Sequence, residues 1–422
     1  MSARKLFLIP ALACLLSFLC ADAQNLQISD RAREVHDSAI VIDTHADTPQ
    51  RFLDENFDLG SVTPVNEGNF DLPKAREGNL GAEFFSIWVA PDIYKGHYAK
   101  RTLELIDSVY EQAARHPDQM MMAYSAEDMV EARTGRQKKL AALMGIEGGH
   151  SIEGDIRLLR DFYRLGVRYM TLTWSNTNEI GDSSGDINDP KVEHHNGLTP
   201  FGKQVVLEMN RLGMMVDISH VADKTFWDTI AVTKAPVIAS HSSARALSHA
   251  GRNMTDEMLR AVAKNGGVVD VNFYSGFLDE KYRLAAEAQK PQQDAAVNAA
   301  LKERREKGQP VNYMDEEKIQ REWMAKIPRP PLSALIDNIE HVAKVAGIDH
   351  VGLGSDFDGV SGALPEGMDS VADLPKITQA LLDRGYTPEQ IHKILGGNLL
   401  RVFREVERVS HQMRGEQEAK AR

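Results

Sequence analysis

Short apolar runs rich in β-branched residues recur along the chain, separated by longer stretches with helical spacing. The pattern predicts strands near residues 39–44, 81–89, 141–147, 167–173, 213–219, 236–240, 267–272 and 350–355. Runs apolar on both faces, alternating with helices, indicate a parallel sheet covered on both sides. Eight such units predict an α/β fold of the (β/α)8 barrel type, with its active site at the C-terminal ends of the strands. One connecting helix can be read closely. Thr199 is a candidate N-cap, and Pro200 suits the first helical position. Val205, Val206, Met209 and Leu212 follow at helical spacing, and Gly213 ends the helix.

Two segments exceed minimal barrel connections. Residues 177–198 are polar and rich in Gly, Asp and Asn, as in a long surface loop. Residues 278–330 are highly charged, with Ala- and Glu-rich helical patterns and a stop at Pro328-Arg329-Pro330-Pro331. They read as a solvated helical insertion before the last strand; a lid or subunit contact is the functional alternative. No internal linker divides the chain, so residues 24–422 form a single domain.

Residues 1–23 have the marks of a secretory signal: Arg4 and Lys5, an apolar run from Leu6 to Leu19 interrupted by Pro10, then Ala21-Asp22-Ala23. The run is well short of the ~20 residues of a spanning helix. Cleavage after Ala23 is expected, with lipid attachment at Cys14 or Cys20 as the alternative, so the protein is expected to be exported, periplasmic or secreted. Cleavage removes both cysteines, leaving neither a disulfide nor a thiol nucleophile. The 422 residues carry 49 Lys+Arg against 61 Asp+Glu, a formal charge of −12, and are 42% hydrophobic. That apolar content excludes a disordered chain. The acidic balance argues against nucleic acid, whose phosphates call for a basic surface.

The predicted strand ends carry the candidate chemistry. His45 and Asp47, two apart after an apolar run, point the same way on an extended strand and can form a pair of zinc ligands. Glu147, before two glycines, sits where a carboxylate could bridge two cations. Met215-Val216-Asp217-Ile218-Ser219-His220 and Val237-Ile238-Ala239-Ser240-His241 both end in Ser-His, so His220 and His241 fall side by side on neighbouring strands. Asp356 follows Gly352 and Gly354 at matching parity, which predicts cleared space beneath its carboxylate; there it can donate and accept protons beside the cations. Each residue alone could be structural. His45, Asp47, Glu147, His220, His241 and Asp356 together suit a hydrolytic pair of zinc ions, because imidazole and carboxylate are present and thiolate is not.

The motifs Asp43-Thr44-His45-Ala46-Asp47, Gly145-Ile146-Glu147-Gly148-Gly149-His150-Ser151, Asp217-Ile218-Ser219-His220, Ser240-His241-Ser242-Ser243-Ala244-Arg245 and Gly354-Ser355-Asp356-Phe357-Asp358-Gly359 resemble those of the membrane (renal) dipeptidases, zinc enzymes of the amidohydrolase superfamily. The resemblance runs from about Val41 to Phe403. It implies two zinc ions in a (β/α)8 barrel and hydrolysis of dipeptides, including those with a C-terminal D-residue, by a metal-bridging hydroxide. By motif, His45 and Asp47 would hold one zinc, His220 and His241 the other, with Glu147 between them. Asp356 would be the acid/base, and Arg252 would hold the substrate carboxylate. Where the better-known members end their fourth strand in Leu-Thr-His, with the histidine against the substrate, this chain has Leu172-Thr173-Trp174. Trp174 is therefore the expected substrate contact, and it cannot become cationic. The alternative activity is N-acyl-amino-acid or lactam hydrolysis at the same site; a non-catalytic zinc-binding exported protein is the alternative of another class. The expected partner is a small amide, with no nucleic acid and no membrane span, and a homodimer is left open.

Overall fold

The computed structural model describes residues 26–421 apart from 65 and 66. The expected signal segment, with Cys14 and Cys20, lies outside the described residues. Among them, no helix is long and apolar enough to cross a membrane.

The strands are β1 (Val41–Ala46), β2 (Leu80–Trp88), β3 (Met120–Met122), β4 (Leu140–Glu147), β5 (Val167–Thr171), β6 (Met215–Asp217), β7 (Val237–Ser242), β8 (Val268–Val271) and β9 (Val351–Leu353). All pair in parallel, in the order β1-β2-β4-β5-β6-β7-β8-β9, with β3 beside β4 off this path. The ring closes at its C-terminal end. There Ala46 bridges Phe357, Asp47 N–H donates to the Phe357 carbonyl (2.8 Å), and Asp356 N–H donates to the His45 carbonyl (2.9 Å). Eight strands thus form the expected (β/α)8 barrel, and β3 is one the apolar pattern did not predict.

Alternation along the strands builds the interior. Ile42, Phe84, Leu143, Tyr169, Met215, Ile238 and Val268 share one buried cluster with Leu399, Leu400, Phe403 and Val406 of the helix Asn398–Ala421. Burying each large apolar side chain of that set is worth about 1.5–3 kcal/mol. On the outside, Val205, Val206 and Met209 of the helix Pro200–Leu212 are buried, as are Leu335, Ile336, Ile339 and Val342 of Leu332–Ala346. The predicted cap is present: Thr199 Oγ1 accepts from Gly202 N–H (2.9 Å), and Gly213 closes the helix at φ 89°.

Three expectations are corrected. First, β6 and β9 are shorter than the apolar runs. Backbone donors past their ends turn to carboxylates: Ser219 N–H to Asp217 (3.0 Å) and Ser355 N–H to Asp43 (2.7 Å). Second, Gly352 and Gly354 do not clear space beneath Asp356. A Cβ on Gly354 would lie 1.8 Å from the Ser240 carbonyl oxygen, and one on Gly352 would lie 2.0 Å from Asp270 Oδ1, so they let the interior close. Third, the 278–330 insertion is more than a solvated appendage. It contains the helices Glu280–Glu306 and Tyr313–Met324, the second opened by a capping box of Asn312 and Asp315, and Tyr313 and Met314 are buried. The polar 177–198 segment also folds back on the barrel, bridging Gly181 to Leu198 and Ser183 to Val221.

Candidate metal centre and active site

All eight residues singled out from the sequence come to the C-terminal mouth. His45 is in β1 and Asp47 just beyond it; Glu147 ends β4; His220 and Trp174 follow β6 and β5; His241 is in β7; Arg252 and Asp356 follow β7 and β9. Two of the turns need left-handed backbone, with φ 67° at His220 and 63° at Asp356. Glu147 lies between two sets of nitrogen atoms. Its Oε1 is 2.9 Å from His220 Nε2 and 3.6 Å from His241 Nε2, and its Oε2 is 3.3 Å from His45 Nε2. His220 and His241 bring their Nε2 atoms within 2.9 Å, and His45 Nε2 is 3.5 Å from Asp47 Oδ2. Two overlapping groups, His45 with Glu147 and His241, and His45 with Asp47 and Asp356, bring their ligand atoms within 4.8 Å of one another; both use His45, so the two are alternative clusters around one imidazole. Gly359 permits the crowding of carboxylates, since a Cβ there would lie 2.0 Å from Asp47 Oδ2 and 2.4 Å from Asp356 Oδ1.

The residues that orient this set did not stand out in the sequence. Tyr169 Oη donates to the Thr44 carbonyl (3.1 Å), so His45 Nδ1–H donates to Tyr169 Oη (2.8 Å) and the Nε2 lone pair faces the centre. Ser240 Oγ donates to Asp217 (2.6 Å) and accepts from His241 Nδ1–H (2.7 Å), with the same effect on His241. Ser86 donates to Glu147 Oε2 (3.0 Å), and Asn272 Nδ2 donates to Asp356 Oδ2 (2.8 Å). A period-two signal was available for Tyr169, Asp217 and Ser240, which occupy inward positions of their strands. Asp358 has a structural role: it accepts from Thr48 Oγ1 (2.7 Å) and Asn69 N–H (2.6 Å), tying the β9 loop to the segment after β1.

The donor set fits divalent cations. Among the described residues, His45 Nε2 and Asp47 Oδ1 are buried without hydrogen-bond partners, and a coordinated ion satisfies such atoms. Burial disfavours charge on His45, yet Tyr169, Glu147 and Asp47 lift its pKa well above the usual range, so the surroundings favour positive charge there. Burial, aided by Arg252, lowers His220 to about 4; burial, with His45 and Arg252, puts His241 well below its usual range. Both imidazoles are therefore neutral at pH 7, the form that ligates. Burial raises Glu147, but the surrounding imidazoles outweigh it and hold the carboxyl ionised. Burial pushes Asp356 up to about 7, with Asp47 and Glu147 adding to the rise and His45 opposing it.

A pocket of about 240 Å3 opens above Glu147, Asp47, His220 and Asp356. Arg252 reaches it under Phe277, its Nη atoms donating to Ser242 Oγ (3.3 Å) and the His241 carbonyl (3.2 Å). Burial lowers its pKa to about 10, against the pull of Asp356, Glu147 and Asp217, and it stays cationic at neutral pH. Trp174 lines the same pocket, as do Tyr313, Gln320 and Met324 of the insertion, which the sequence did not single out.

Comparison with known proteins identifies the same fold in solved structures. The probable dipeptidase PvdM from Pseudomonas aeruginosa is 25% identical, with a TM-score of 0.74 over 90% of this chain and 98% of that one. A metallo peptidase from Rhodobacter sphaeroides, solved with a phosphinate mimic of the dipeptide L-Ala-D-Ala, is 24% identical, with a TM-score of 0.70 over 87% and 100% of the two chains, and shares the fold. The sequence profile of the membrane dipeptidase family (peptidase family M19) matches residues 29–417. With nearly its whole length matched, the chain belongs to that family of metallopeptidases and is a hydrolase.

Proposed function

We propose that the protein hydrolyses the peptide bond of dipeptides, L-D dipeptides included, with two zinc ions held at the barrel mouth. The observation that carries this reading is the position of Glu147, whose two oxygens face different imidazoles, Oε1 toward His220 and Oε2 toward His45. A carboxylate so placed suits a bridge between cations, with His45 and Asp47 on one and His220 and His241 on the other. Bound divalent cations supply Lewis acidity there, acidifying water and polarising the scissile carbonyl.

The other roles follow from this chain's own groups. Asp356, held by Asn272, takes the proton of the attacking water and returns it to the leaving nitrogen. Arg252, fixed by Ser242 and the His241 carbonyl, receives the free carboxylate of the substrate, which restricts the pocket to short peptides. Trp174 contributes surface and one N–H donor. Export before this activity, with cleavage after Ala23, belongs to the same proposal; it rests on residues 1–23 and is tested by sequencing the N-terminus of the protein made in its host.

Metal analysis combined with a substrate panel tests the activity. The zinc-loaded protein is expected to hold two ions per chain and to cleave L-Ala-L-Ala and L-Ala-D-Ala in preference to N-acyl amino acids or lactams. Asp356→Asn is expected to keep the metal and lower kcat by about 10²–10⁴. Preferential cleavage of N-acyl amino acids, or an active Asp356→Asn variant, would overturn the reading.

A further inference from the structure

We infer that the pocket contains an aromatic subsite, built by Trp88, Trp174 and Tyr313, that receives the amino-terminal side chain of the substrate and favours dipeptides whose first residue is bulky and apolar. The inference rests on the dipeptidase reading and refines its substrate class.

In a closed ring β1-β2-β4-β5-β6-β7-β8-β9, the ends of β2 and β7 are four strands apart either way, so they face each other across the mouth. Among the described residues, Arg252, beyond β7, is the only Lys or Arg that lines the pocket, which makes that side the seat for a carboxylate. Glu147 on β4 and Asp356 beyond β9 flank the line from β7 to β2. A dipeptide anchored at Arg252 and crossing the reacting groups therefore ends at β2. The residue there is Trp88, the last of β2, in register with Glu147.

The surroundings of Trp88 are aromatic. Its ring lies 4.9 Å from that of Trp174 at 52°, and 4.6 Å from that of Tyr313 at 75°, and all three rings line the pocket. Tyr313 does not come from the barrel. The insertion leaves after β8 and carries the helix Tyr313–Met324 back to the β1 side, where Asn312 Nδ2 meets the Asp54 carbonyl (3.5 Å) and Lys318 meets Glu55 (3.4 Å). Tyr313, Gln320 and Met324, at helical spacing, turn one face of this helix to the pocket. The insertion thus completes a wall of π-faces and edges that suits an aromatic or branched aliphatic side chain. A glycine or alanine at that position leaves the wall without a partner.

The test compares L-Phe-D-Ala with Gly-D-Ala on the zinc-loaded wild type, Tyr313→Ala and Tyr313→Phe. The wild type is expected to favour L-Phe-D-Ala by about tenfold or more in kcat/KM. Tyr313→Ala is expected to lose about tenfold on L-Phe-D-Ala, through KM, while Gly-D-Ala changes by less than about twofold; Tyr313→Phe retains the preference. Cleavage of both dipeptides by the wild type without preference overturns the subsite whether or not Tyr313→Ala folds, and so does an equal loss on both substrates in Tyr313→Ala. Failure of the wild type to cleave any dipeptide is a distinct result, which defeats the dipeptidase reading and the subsite with it.

Discussion

In the proposed mechanism, catalysis depends on which tautomer and which proton each side chain holds, and buried neighbours set both. His45 presents Nε2 because Tyr169 accepts from its Nδ1. Tyr169→Phe removes that acceptor at almost constant volume, and zinc affinity is expected to fall about 10–100-fold, read by chelator competition; unchanged affinity would remove Tyr169 from this role. In the proposed role, Asp356 must be ionised to accept a proton. Burial raises it to about 7, the hydrogen bond from Asn272 favours the ionised form, and cations held by the neighbouring ligands would lower it further. Activity is therefore expected to rise with pH through a limb at or below about 7. Asn272→Ala, which withdraws support from the ionised carboxylate, shifts that limb to higher pH; a limb that stays in place, or moves down, contradicts the assignment. The candidate ligands were legible because each follows an apolar run and is chemically conspicuous. Tyr169, Asp217 and Ser240 were not, since an inward-facing Tyr, Asp or Ser has the same local sequence whether it orients a ligand or merely fills the barrel.

Strands and helices place these residues through close approaches that only the assembled barrel reveals. Gly145 lies opposite Tyr169, and a Cβ there would fall 1.9 Å from Tyr169 Cζ. The glycine is what allows the phenol to cross the interior and reach β1. Gly145→Ala is expected to destabilise the fold by about 1–3 kcal/mol in urea unfolding, as overpacking does, and to weaken zinc binding with it, because a displaced Tyr169 releases His45. Wild-type stability and metal affinity together would show that the contact is slack. Eight strands and the helix from Thr199 to Gly213 were readable from periodicity and capping residues, which act locally. Strand ends were less so: β6 and β9 stop where the Asp217 and Asp43 carboxylates capture backbone N–H groups, and the Asp43 contact spans 312 residues. The insertion was read as helical from composition, but its pocket-facing side was invisible, because that role depends on where the helix lands.

At the scale of the whole molecule, the barrel brings to one mouth residues that are far apart in sequence, from His45 to Asp356. Tyr313, from the insertion between β8 and β9, supplies a wall on the opposite side of that mouth. On the proposed reading, chemistry and substrate selection are thereby divided: strand ends hold the polar centre, and the Asp356 loop, the Arg252 loop and the insertion line the pocket above it. Three carboxylates, Asp47, Glu147 and Asp356, share this buried space, so the proposed site calls for bound positive charge. Anomalous diffraction at the zinc edge, on crystals of the zinc-loaded protein, tests that claim most directly. Two peaks about 3.5–4 Å apart are expected, one beside His45 and Asp47 and the other beside His220 and His241, with a Glu147 oxygen near each; a single peak, or peaks away from Glu147, would refute a binuclear centre here.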